Sequence, residues 1–228
     1  MKLAKRIIAI LLLAVLLFAL SACSGSSVSI LGVSTPTTPL AVSDGSTVSD
    51  SETPVAYRND YFKYSCVLPN DWYVLNEDEL SQVLGRTSDA LGENETGDVI
   101  QQALESGESL MDFYSFSGDS TRTINIVLGK VRLLDMLLPE QTLIDASVPL
   151  LTSGLADMGA TNITHSTERV EFLGKERVAL NVQGDFQGVA IYETIFIMRK
   201  GLYVSSFTVS SLEQDTAQDS LAYFQIID

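Results

Sequence analysis

The feature that most constrains the fold is a set of four strand-like segments near the end of the chain. They span residues 163–172, 177–182, 189–198 and 202–210, and short turns at 173–176, 184–188 and 199–201 join them. Within the second segment, Val178, Leu180 and Val182 recur at every second position, as on a half-buried strand. Parallel neighbours would need long crossover connections. The sequence therefore predicts an antiparallel meander.

The region before the meander predicts a hairpin and helices. Residues 110–116 and 121–131 alternate on either side of the turn at 117–120, with Ile124, Ile126 and Leu128 on one face. Pro139 opens the longest predicted helix and Gly159 ends it. One face of that helix carries Ile144, Val148, Leu151, Leu155 and Met158. Pro149 lies inside it and predicts a kink or a split.

Three further helices are predicted from capping residues and spacing. The first begins with Asn76 as N-cap and Glu79 as its reciprocating acid, and ends at Gly85, before a polar loop at 87–95. The second covers 96–106. The third covers 213–227, through Leu212, Ala217, Leu221 and Phe224. Helices beside short-looped strands indicate an α+β fold, an antiparallel sheet with helices packed on it.

The N-terminus predicts a secretory signal. Lys2, Lys5 and Arg6 precede an uncharged apolar run over 7–20. That run falls short of the roughly 20 residues that a membrane-spanning helix needs.

Leu20-Ser21-Ala22-Cys23, at the end of this run, resembles the lipobox of bacterial lipoproteins. The resemblance implies that the Cys23 thiol receives a diacylglycerol thioether and that cleavage leaves Cys23 first. The alternative is ordinary signal-peptidase cleavage, with Cys23 a chance thiol. Two or more acyl chains hold a protein stably on a membrane. We therefore expect attachment to the extracytoplasmic face of the cell membrane through the lipid on Cys23.

Composition divides the chain into three parts. Residues 1–22 are the signal peptide, and 23–54, rich in Ser, Thr and Pro, are a flexible tether. Residues 55–228 are long enough for a single domain. The chain has a formal net charge of −15, and all its acidic residues lie beyond Cys23. This excess opposes binding to nucleic acid and electrostatic docking on anionic lipids.

Candidate catalytic and metal-binding residues are sparse. Cys66 is predicted to be a buried thiol, and His165, the one histidine, a surface residue on a strand. No catalytic set, metal site or cofactor motif is predicted. Carboxylates at Glu93, Glu95 and Asp98 offer oxygen ligands, but without the spacing of a calcium loop. Four aromatic residues could form an exposed ligand platform, but core packing explains them more simply: Tyr61, Tyr64, Trp72 and Tyr73.

Two groups of motifs resemble the PsbP/Mog1-like α/β/α sandwich domains of Gram-positive lipoproteins. The first is Tyr57-Arg58-Asn59-Asp60-Tyr61-Phe62 followed by Leu68-Pro69-Asn70-Asp71-Trp72. The second is Leu173-Gly174-Lys175-Glu176, the strand containing Tyr192, and Lys200-Gly201-Leu202-Tyr203-Val204. The resemblance covers about residues 55–228. It implies a non-catalytic accessory or interaction domain and supplies no catalytic residues.

These features favour a membrane-anchored extracytoplasmic lipoprotein that acts as a non-catalytic binding or accessory module. Its expected partner is an envelope component or another protein, of unknown identity. The alternative is an extracytoplasmic hydrolase that uses a pair of carboxylates, which the many acidic residues allow.

Overall fold

A computed structural model describes residues 56–91, 109–130 and 137–228, with the side chains of 85–91 excepted. In chain order the strands are β1 (Tyr57–Asn59), β2 (Tyr64–Cys66), β3 (Tyr73–Val74), β4 (Ser109–Phe116), β5 (Arg122–Lys130), β6 (Ala160–Phe172), β7 (Lys175–Phe186), β8 (Val189–Lys200), β9 (Tyr203–Leu212) and β10 (Phe224–Ile226). The α-helices within the described residues are α1 (Glu77–Leu91), after β3, and α2 (Glu140–Asp157), after β5. A 3-10 helix, Ala217–Tyr223, precedes β10.

The main sheet has seven antiparallel strands in the order β3-β4-β5-β9-β8-β7-β6. The predicted meander is confirmed as β6 to β9, and the predicted hairpin as β4 and β5. The turns contain Gly174, Gly188 and Gly201, each with a positive φ. A positive φ costs glycine little because it has no Cβ.

One face of this sheet, the front face, packs against the helices. Ile144, Leu151 and Leu155 of α2 lie in one apolar cluster with Leu180 and Ile195 of the sheet. The predicted apolar face of α2 is therefore confirmed, and the helix runs through Pro149 without being split. Asn76 and Glu79 form the predicted capping box at α1: each side chain accepts the other's backbone N–H.

The other face, the back face, is covered by a three-stranded sheet in the order β1-β2-β10 and by the 3-10 helix. Aromatic rings fill the space between the two sheets. Tyr64 packs 5.0 Å from Phe207 between ring centroids, and Phe224 packs 5.5 Å from Phe207. The structure therefore has an α+β fold with helices on an antiparallel sheet, as predicted.

Two predicted helix boundaries are wrong. The C-terminal segment 213–227 is not one helix, because Phe224–Ile226 pairs with β2 and Phe224 enters the aromatic cluster. Helix α1 does not end at Gly85, and its continuation to Leu91 occupies part of the predicted polar loop at 87–95. The predicted helix at 96–106 and the acidic group Glu93, Glu95 and Asp98 lie outside the described residues.

Candidate functional site

A cleft of about 380 Å³ opens on the back face, across strands β6, β7 and β8. Its strand-borne lining includes Thr164, Ser166, Glu168, Asn181, Gln183, Tyr192 and Thr194. Asp215 and Gln218, from the segment after β9, form another part of the lining. The volume lies within the range of small-molecule sites, about 300–1,000 Å³. The lining is polar.

Strand register explains why these polar side chains share one face. Ser166 pairs with Asn181, and Asn181 pairs with Thr194. Val182 and Ile195, one residue further along β7 and β8, belong to the front-face cluster. Because successive side chains of a strand point to opposite faces, Asn181 and Thr194 point to the back.

A hydrogen-bond relay fixes the carboxylate of Glu168 in this cleft. The buried hydroxyl of Thr194 donates to Asn181 Oδ1 at 2.8 Å. Asn181 Nδ2 in turn donates to Glu168 Oε1 at 2.6 Å. Gln218 Nε2 donates to the same Oε1 at 2.5 Å. One oxygen of Glu168 is thus held from two sides, and Oε2 is left to interact with a ligand.

The electrostatic character of the cleft is acidic. Glu168 and Asp215 both line it, and among the described lining residues there is no lysine or arginine. Such a surface disfavours phosphate and carboxylate ligands, which proteins usually bind through cations. It suits a ligand that donates hydrogen bonds or carries a positive charge.

His165 lies at the rim of this cleft and is exposed, as predicted for a strand residue on the surface. It pairs with Val182, whose side chain belongs to the front face. Its neighbour Ser166 therefore points to the opposite side of the sheet, away from the imidazole. The two residues do not form a nucleophile and base.

Glu193 is a buried acid that no sequence motif singles out. It lies on β8 between Ile191 and Ile195, pairs with Ser210, and shares their front-face orientation. Burial raises its pKa well above the usual value, and the neighbouring Ser210 opposes the rise. Its Oε2 has no hydrogen-bond partner within the described part of the chain. The backbone of Glu193 borders the cleft, but the carboxyl group lies on the other side of the sheet.

The other predicted candidates divide between core and surface. Cys66 is buried, and burial raises the pKa of its thiol to about 12, which suits a core residue and not a nucleophile. Tyr64 and Trp72 are buried, whereas Tyr61 and Tyr73 are exposed, so the four aromatic residues do not form one platform. Cys23 lies outside the described residues, and its lipidation stays a prediction.

The described residues provide neither a metal-binding cluster nor a membrane-spanning helix. No group of three or more His, Cys, Asp or Glu side chains is placed to hold a metal ion in this part of the chain. No helix there is long and apolar enough to cross a membrane.

One sequence pattern could have located the cleft: the character of every second side chain along strands β6 to β8. Where β6 to β8 approach the aromatic cluster, the back-face positions hold Phe172, Phe196 and Met198. At the other end of the same strands they hold Ser166, Asn181 and Tyr192. A strand face that changes from apolar to polar along its length indicates where its cover ends.

Comparisons with known proteins found distant structural resemblances. No family model matches it, and no curated protein matches it. Solved structures that resemble it include a protein from Bacteroides thetaiotaomicron VPI-5482, at 12% identity and a TM-score of 0.40 over 73% of this chain. The match spans 46% of that protein's own length. Another is LpqN of Mycobacterium tuberculosis, involved in cell envelope biogenesis, at 10% identity and a TM-score of 0.41 over 72% of this chain and 83% of LpqN.

Fold and site together define the class of protein. It is an α+β sandwich whose antiparallel sheet carries helices on its front face and, on its back face, a small sheet beside an open acidic cleft.

Proposed function

We propose that this chain is a lipid-anchored extracytoplasmic lipoprotein whose PsbP/Mog1-like domain acts as a non-catalytic binding module. The observation that carries the proposal is the cleft on β6 to β8, in which Glu168 is held by Asn181 and Gln218. A carboxylate fixed before a ligand arrives loses less conformational freedom on binding. The lipobox-like Leu20-Ser21-Ala22-Cys23 supports the membrane location.

The anchor is tested by fractionation of cells that express the full chain. We expect Cys23→Ala to move the protein from the membrane to the soluble or unprocessed fraction, since the lipid can no longer be attached. Cys66→Ala is the matched control, and it should leave the membrane fraction unchanged. Membrane partitioning that is the same for Cys23→Ala and the parent chain would contradict the anchor.

The binding role of the cleft is tested by photo-cross-linking in the same cells. Benzoylphenylalanine replaces Gln183, an exposed residue of the cleft, or Gln225, an exposed residue on β10 outside it. We expect a discrete cross-linked species from position 183 only, and we expect Glu168→Gln to reduce it. Equal yields from both positions would show that the cleft is not a preferred contact.

The alternative function, a hydrolase with a carboxylate pair, has one observation in its favour. Glu168 and Asp215 line the same cleft. Both are exposed, however, and the deeply buried acid Glu193 points to the opposite face. If the alternative holds, Glu168→Gln and Asp215→Asn each abolish hydrolysis of cell-wall material. If the binding module holds, the parent chain shows no such hydrolysis.

A further inference from the structure

The two edge strands of the main sheet, β3 and β6, differ in how well they are protected against pairing with another chain. Strand β3 has two residues and is too short to template another strand. Strand β6 has 13 residues and pairs with β7 alone among the described strands. Its outer side therefore presents backbone N–H and C=O groups that could pair with an added strand.

Only part of β6 is open in this way. At its N-terminal end the register shifts between Thr161 and Thr164, where Asn162 has φ of 53° and donates to Asp185. A bulge of this kind interrupts strand pairing. Towards the C-terminal end Glu168, Arg169 and Glu171 place charges along the edge. Residues 164–167, Thr-His-Ser-Thr, contain no Asp, Glu, Lys or Arg, no proline and no register shift, and we call them the open window.

The open window coincides with the cleft. Thr164 and Ser166, its back-face residues, both line the cleft, and Glu168 follows directly. A strand added along the window would place every second side chain on the back face, beside these residues. Directly opposite residues of neighbouring strands lie about 4.5–5.5 Å apart between Cβ atoms. A side chain of the added strand would therefore reach Glu168.

The charge of the cleft indicates which kind of polypeptide would pair with β6. The cleft offers Glu168 and Asp215 and, among its described lining residues, no lysine or arginine, so a basic side chain on the added strand is favoured. A second copy of this chain is disfavoured, because each copy brings the same two acids and a formal net charge of −15. Residues 23–54 of the same chain are disfavoured too, since they contain no lysine or arginine.

From the open window on the edge of β6 and the acidic charge of the cleft, we infer that β6 binds an extended polypeptide bearing a lysine or arginine, which pairs with residues 164–167 as an additional strand. The inference rests on the proposed binding function and names the ligand class of the same cleft. Backbone pairing supplies affinity, and the ion pair with Glu168 supplies selectivity. Since Glu168 Oε1 already accepts two amide hydrogen bonds, its Oε2 is the atom that meets the ligand cation.

The test uses the lipidated full chain in nonionic detergent and a fluorescein-labelled peptide, Thr-Val-Thr-Val-Lys-Val-Thr, read by fluorescence polarisation. We expect the lysine peptide to bind about tenfold more tightly than the same peptide with glutamate in place of lysine. Glu168→Gln should weaken the lysine peptide about fivefold, the upper range for an exposed ion pair. Glu171→Gln, on the same strand but the front face, should leave its affinity unchanged.

Backbone pairing is tested separately, with N-methyl groups on alternate residues of the lysine peptide. In an antiparallel ladder only every second residue turns its N–H towards the neighbouring strand. We therefore expect methylation of one alternate set to abolish binding and methylation of the other to be tolerated. Equal affinity of the two methylated peptides would overturn strand addition, and so would equal affinity of the lysine and glutamate peptides.

Two further results separate this inference from the proposed function. If the lysine peptide does not bind while position 183 still gives its cross-linked species in cells, the cleft binds something else and the peptide inference is wrong. If sedimentation shows a dimer that Ser166→Lys dissociates, the edge is occupied by a second copy, which also overturns the peptide inference. Loss of the cross-linked species at position 183 would contradict the proposed function itself.

Discussion

Replacing Glu193 by glutamine removes a buried acid and keeps the size of the side chain. Glu193 is 3% exposed, and its strand neighbours on the same face, Ile191 and Ile195, are apolar. The residues paired with it across β7 and β9 are Val182 and Ser210, neither of which titrates in the accessible pH range. The difference in the free energy of unfolding between wild type and this variant therefore reports the cost of burying one carboxyl group in the core.

The sign of the effect follows from the raised pKa of Glu193. Below about pH 4.5 the acid is protonated in the folded and the unfolded chain, so the group adds no pH dependence. Above that pH the unfolded chain loses the proton while the folded chain keeps it. The wild-type free energy of unfolding therefore falls relative to Glu193→Gln, by about 1.4 kcal/mol per pH unit, until the folded pKa is reached. Between pH 5 and 6.5 the accumulated difference is at most about 2 kcal/mol.

Urea unfolding at pH 5.0, 5.75 and 6.5, followed by the fluorescence of the single tryptophan, Trp72, measures this difference. Subtracting the variant from the wild type cancels the other titrating groups. Glu171→Gln, exposed on β6, is the matched control and should show no slope of this size. A difference between wild type and Glu193→Gln that stays constant over this range would refute a protonated Glu193 in the folded chain.

The remaining predictions concern the cap, the aromatic cluster and the thiol. Asn76→Ala should lower the free energy of unfolding by about 1 kcal/mol, because the capping hydrogen bond to Glu79 N–H is lost, and Asn76→Asp should not; urea denaturation measures both. Phe224→Ala should cost about 3–5 kcal/mol by the same assay, whereas Ile226→Ala, exposed on the same strand, should cost under about 0.5 kcal/mol. In a chain carrying Cys23→Ser, Cys66 should react with Ellman's reagent at pH 8 only after unfolding, because burial raises the pKa of its thiol to about 12.

Local sequence signals predicted the meander, the hairpin and α2, because each depends on residues close in the chain. Alternating apolar residues define the strands, and Gly174, Gly188 and Gly201 fit the positive φ of the turns. The C-terminal segment was predicted wrongly for the opposite reason. Its spacing of apolar residues fits a helix, but Phe224 packs against Tyr64, Phe172 and Phe207, contacts distant in sequence. Tertiary packing outweighs local propensity there.

The candidate site was not predictable from spacing either. Glu168, Asn181 and Gln218 meet only through the register of β6 on β7 and the path of the chain after β9. A register one residue different would place Asn181 on the front face, away from Glu168. Strand patterns indicate that a face is polar, but they do not determine which polar side chains become neighbours.

The strands of the two sheets differ in length, and this difference explains why part of the back face is uncovered and polar. Strands β6, β7 and β8 have 13, 12 and 12 residues, whereas β1, β2 and β10 have three each. At about 3.3 Å per residue the strands of the large sheet are roughly 30 Å longer than the strands of its cover. Uncovered sheet must be polar to remain soluble, so the polarity of the cleft follows from the architecture alone. Two properties do not follow from the architecture: the described lining contains no lysine or arginine, and residues 164–167 on the edge beside it contain no Asp, Glu, Lys or Arg. These two properties favour a bound strand with a basic residue.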